Sequence, residues 1–158
     1  MKAIASTILS LCLVSGTAFA AGDPGGSSVP AAPKDPVMEK VAAATRNQDW
    51  PAAQAVLKEA LAKSPQNPDY HNLYAYTVRK GPNPDMSLVF QHYNQALAID
   101  PKHKQAHEYL GEAYLMVGNV AKAKEHLAQL DKICFLPCSE YSDLKKAIAD
   151  YEKKTASR

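Results

Sequence analysis

From residue 36 onward the apolar residues fall at helical spacing, and no stretch alternates as a strand would. Val37, Val41 and Ala44 stand at i, i+4 and i+7, and Ala53, Leu57, Ala60 and Leu61 continue the stripe after the polar Asn47-Gln48-Asp49. That pattern predicts a helix, a short turn and a second helix. Pro65 and Pro68, with Asn67 between them, are expected to end this first unit, because proline cannot continue a helix and restrains the residue before it. A second unit runs from about Asp69 to Lys80, breaks at Gly81-Pro82-Asn83-Pro84-Asp85 and resumes through Leu88, Tyr93, Ala96 and Leu97. The third runs from Lys104 to Val117, turns at Gly118-Asn119 and continues through Ala123, Leu127 and Leu130. Beyond Pro137 a last helix carries Tyr141, Leu144, Ile148 and Tyr151 on one face and Asp143, Lys145, Lys146, Asp150 and Lys153 on the other, as a terminal cap requires.

The units are copies. Ala60-Leu61-Ala62-Lys63-Ser64-Pro65 returns as Ala96-Leu97-Ala98-Ile99-Asp100-Pro101, thirty-six residues later, and the same offset relates His71 to His107. A period in the mid-thirties made of two helices marks a helical solenoid. The chain therefore reads as all-α: a helical-repeat solenoid of three helix-turn-helix units, about 36–68, 69–103 and 104–137, with a capping helix over about 140–154. One domain over 36–155 is expected, with a turn in the second unit about two residues longer than a standard repeat.

The N-terminal residues break the pattern. Met1-Lys2, an apolar run from Ala3 to Val14, and Ala18-Phe19-Ala20 read as a signal peptide over 1–20, cleaved after Ala20. The apolar run falls short of the roughly 20 residues that span a bilayer, so no membrane insertion is expected after cleavage. Gly, Pro, Ser and Ala dominate 21–35, a flexible tether. The expected location is periplasmic or secreted. Removing Lys2 from the 18 basic residues leaves 17 against 16 acidic ones, and removing Cys12 from 3 cysteines leaves two. That balance argues against nucleic acid as a partner.

The residues also carry a resemblance. Leu110-Gly111 followed by Tyr114, with Gly118 at the turn and Ala123 in the next helix, resembles the signature of the tetratricopeptide repeat. Ala75, Val78, Ala96 and Pro101 in the second unit, and Asp49, Trp50, Ala53, Ala60 and Pro65 in the first, follow it more loosely. The resemblance implies a protein-binding or scaffolding module whose first helices line a concave groove for a peptide or partner helix. Carried across, the groove positions are Asn72, Tyr76, Arg79 and Lys80 in the second unit and Glu108, Glu112, Leu115 and Met116 in the third. Met38, Ala42, Thr45 and Arg46 are the weaker equivalents in the first. Arg79 and Lys80 suit a carboxylate, Glu108 and Glu112 a basic side chain, and Leu115-Met116 an apolar anchor. The plainer reading of the same residues is the solvated face of amphipathic helices.

Cys134 and Cys138, four apart across Pro137, are most simply a disulfide joining the last repeat to the cap in an exported protein. Two sharper readings are a soft-metal site for Cu(I) or Zn(II), with His126 as the nearest further ligand, and a redox-active thiol pair. His71 and His107 read as packing residues, His103 is four residues from His107 and so could share a helical face with it, and Trp50 reads as core. No phosphate loop, nucleophile elbow, His-Glu-x-x-His arrangement or paired acid-base carboxylates occur. The chain is not expected to be an enzyme, no cofactor is implied, and self-association by stacking of solenoid ends is the remaining partner class.

Overall fold

The computed structural model describes residues 35–136 and 138–157. The expected leader and all of the tether except Asp35 lie outside them. Seven helices follow one another: α1 (Pro36–Arg46), α2 (Trp50–Lys63), α3 (Pro68–Lys80), α4 (Met86–Ile99), α5 (Lys104–Met116), α6 (Val120–Ile133) and α7 (Ser139–Ala156). The described residues contain no strand, and the expected all-α repeat array is what they form. No described helix is long and apolar enough to cross a membrane.

Helix boundaries follow from local chemistry. Asp35, Asp49, Asn67, Asp85, His103 and Asn119 each accept a backbone N–H in the first turn of the helix they precede, satisfying donors that the helix itself cannot. Pro68 departs from the expectation that it would end the first unit, because it opens α3 with Asn67 as its cap. A proline in the first turn has no N–H to lose and a φ already suited to the helix.

Each helix packs on its neighbours along the chain, and α5 additionally touches α3 and α7. Fully buried alanines, Ala53, Ala75, Ala96, Ala106, Ala113 and Ala123, let the helix axes approach, while Leu57, Tyr93 and Leu110 fill the space between. A second cluster, Leu115, Ala123, Leu130, Leu144 and Ile148, seats α7 on the third unit. Gly111 makes that seat possible: a β-carbon there would lie 2.6 Å from the Leu144 side chain.

The turns explain the uneven period. Three residues join α1 to α2 and α5 to α6, whereas five, Gly81 to Asp85, join α3 to α4. Gly118 has φ +79° and Gln48, at the same place in the first turn, has φ 56°, so the first unit puts a side chain where the third uses glycine.

Candidate functional site

The residues assigned to a groove divide into three environments. On α1, Met38, Ala42 and Arg46 line an open depression of about 620 Å³ together with Asp35 and Glu39. Thr45 turns back on its own helix and donates to the Val41 carbonyl at 2.9 Å.

On α3 and α5 the charges meet one another. Arg79 and Glu112 form an ion pair at 2.8 Å, with the Arg79 side chain 6% exposed. The Arg79 Nε–H also reaches the Tyr93 hydroxyl at 3.3 Å, and its guanidinium lies 5.7 Å from the Tyr76 ring and 5.5 Å from that of Tyr109. The carboxylate that the sequence reading left for a partner to supply to Arg79 is thus supplied from within. Lys80 remains exposed, 6.0 Å from the Tyr76 ring. Tyr76 and Tyr109 stack at a tilt, 5.0 Å apart, as a platform beside the ion pair. Burial pushes the Tyr109 hydroxyl up to about 12, helped by the charge of Glu108.

Glu108 and Asn72 stand at matching places in the third and second units. Glu108 is 8% exposed, and among the described residues no ion pair reaches it. Burial, followed by the nearby carboxylates of Glu112, Asp143 and Glu140, pushes it up to about 7. Asn72 is fully buried and neither amide atom has a partner, a costly state for a polar group. Leu115 is 7% exposed and belongs to the cluster under α7, while Met116 is 52% exposed. The expected pair of anchors therefore splits into a core residue and a surface one.

Two histidine pairs went unseen in the sequence. His71 Nδ1 lies 2.9 Å from His92 Nδ1, and His107 Nδ1 lies 2.9 Å from His126 Nδ1. His126 thus faces His107. His103 caps α5 through Nδ1 and meets Asp69 through Nε2 at 3.1 Å. Trp50 is half-buried at the start of α2, edge-on to Tyr76 at 6.3 Å, and is not enclosed by the first unit.

Cys134 ends α6 and Cys138 precedes α7, and the structure joins them with their Cα atoms 5.9 Å apart. The link carries Phe135 and Leu136, 100% and 72% exposed. Among the described residues no group of three or more His, Cys, Asp or Glu is placed to hold a metal ion.

Two family models, each described as tetratricopeptide repeat, match residues 39–85 and 89–148. The chain is a tetratricopeptide-repeat protein. The second match ends inside α7. No curated protein matches the chain. Tetratricopeptide repeats mediate protein–protein interaction or scaffolding and are typically non-catalytic.

Proposed function

We propose that this protein is an exported docking module that holds a segment of another protein along the face formed by α1, α3 and α5. The observation that carries the reading is Glu108: a nearly buried carboxyl, crowded by three further carboxylates and with no ion pair of its own among the described residues, because Arg79, the one cation that eases its charge, is paired with Glu112. A lysine or arginine from a bound segment completes such a site, because a paired and hydrogen-bonded charge tolerates burial where a lone one does not. The Tyr76–Tyr109 platform offers flat apolar area beside it, and the α1 depression offers room for a neighbouring side chain.

Peptide-library selection against the whole protein, followed by hydrogen exchange of the selected complexes, tests this. Expected are peptides with a basic residue, protection on α3 and α5, and affinity lowered at least tenfold by Glu108→Lys. Footprints confined to α2, α4 and α6, or binding indifferent to Glu108→Lys, overturn it.

Export and the cysteine link belong to the same proposal. The leader directs the chain to a periplasmic or secreted location, where Cys134 and Cys138 stay oxidised and tie α6 to α7. Their bonded placement at a helix junction favours this structural role over Cu(I), Zn(II) or thiol-redox handling. Intact mass and thiol labelling of the exported protein check it. A start at Ala21 with two blocked cysteines is expected, and free thiols or a bound metal mass would make the pair the working centre.

A further inference from the structure

The two histidine pairs are built to one plan. His71 and His107 each sit ten residues before the residue that ends their helix, Gly81 and Val117. His92 and His126 are each the seventh residue of α4 and α6. In both pairs the Nδ1 atoms face each other at 2.9 Å.

Hydrogen-bond chemistry fixes the tautomers. The Pro65 and Pro101 carbonyls can only accept, so His71 and His107 carry their protons on Nε2 and donate at 3.0 Å. Their Nδ1 atoms are then lone pairs, which accept from the Nδ1–H of His92 and His126. A carbonyl on the far nitrogen is the arrangement that orients a metal-ligating histidine. Aromatic rings cover the second histidine of each pair: Tyr74 lies 4.5 Å from His92, and Tyr114 lies 5.6 Å from His126 and nearly parallel to it.

The first unit supplies an internal comparison. Val37, ten residues before Asn47, and Val56, the seventh residue of α2, hold the corresponding places. The repeat therefore packs without a polar pair here, and what the histidines add is two opposed nitrogens, twice.

We propose that His71 with His92, and His107 with His126, are two sites for a soft monovalent cation, Cu(I) or Ag(I), held linearly between Nδ1 atoms. Two neutral nitrogens with no third His, Cys, Asp or Glu placed beside them among the described residues do not meet the four-coordinate demand of zinc and suit a d10 ion of low charge and low coordination number. Metal–nitrogen bonds of about 2 Å require the nitrogens to move apart by about 1 Å. His92 and His126 are only partly buried, which leaves their rings room to swing. On binding, the Nδ1 proton of His92 or His126 passes through solvent to its own Nε2. No proton is released overall and no electron moves.

Native mass spectrometry of the whole protein, cysteines oxidised, tests this with Ag(I) and with Cu(I) kept reduced by ascorbate. Two bound ions are expected, one after His71→Val with His92→Val, one after His107→Val with His126→Val, and none when all four are replaced. Zn(II) is expected not to bind. No bound ion at tenfold excess, or two ions retained by the quadruple variant, overturns the proposal. Should a variant fail to fold, imidazole nitrogen spectra of the unaltered protein decide. Ag(I) must shift the Nδ1 resonances of all four histidines, and unchanged resonances overturn the assignment.

Discussion

The first unit and the two that follow share a backbone plan and differ in what fills it. Where the later units place His71 with His92 and His107 with His126, the first has Val37 and Val56. Where the third turn has Gly118, the first has Gln48 in the same left-handed conformation. One architecture accepts an apolar pair or a hydrogen-bonded pair at one place. The repeat plan fixes how much volume must be filled, while the chemistry of the filling is free to serve something else.

Breaking one pair without its partner is the most severe test of that comparison. His107→Ala leaves a void and strands both the Pro101 carbonyl and the His126 N–H, so a loss of about 2–4 kcal/mol is expected in urea unfolding. Replacing both members with valine, as in the first unit, is expected to cost less than about 1.5 kcal/mol. Equal losses would show that the later units need their histidines to fold. Gly111→Ala comes next. Its β-carbon meets Leu144 at 2.6 Å, and about 1–2 kcal/mol should be lost despite the better helix propensity of alanine, read as a lower Tm.

Acid and base sharpen the contrast from opposite sides. Burial, then the charge of the partner histidine, lowers His92 and His126 from 6.5 to about 4. The unfolded chain therefore takes up protons that the fold refuses, and stability falls as pH drops from 6.5 toward 4. Glu108 behaves in reverse. Raised from 4.5 to about 7, it keeps a proton in the fold that the unfolded chain releases, so stability falls as pH rises across that window. Thermal melts across pH should show the acid limb flattened by the four-valine variant. Glu108→Gln should flatten the other limb and raise Tm by several degrees at pH 8 while leaving pH 4 unchanged. The smallest effect is expected at Gln48→Gly, a gain of at most about 1 kcal/mol from relieving a left-handed side chain. A loss there would mean that the first turn relies on Gln48 for more than its shape.

Much of this fold was legible because it is written in local signals: helical stripes, prolines, capping residues and a thirty-six-residue echo. Pro68 was misread because a proline marks a boundary without saying on which side the helix lies. The site was harder to read, since it depends on which residues of different helices meet. Arg79 and Glu112 each looked available, and only the packing of α3 against α5 shows that they neutralise one another. The carboxylates of Glu140 and Asp143 reach Glu108 from α7, whose placement no periodicity specifies. The histidine pairs lay nearer to hand. Had His92 and His126 been aligned through their helices, with the longer second turn allowed for, their shared position would have stood out beside the echo of His71 and His107.

The link between Cys134 and Cys138 gives the array a direction. Helices here lean on their near neighbours, so the molecule opens from its ends inward. At one end α7 is seated on α5 and α6, and the proposed Cys134–Cys138 bond would tie it to α6 as well. At the other, α1 packs chiefly on α2 and, among the described residues, has no cysteine to tie it. With that bond formed, fraying is expected to begin at α1, and a segment threading the face would meet a yielding gate at that end and a fixed wall at the other.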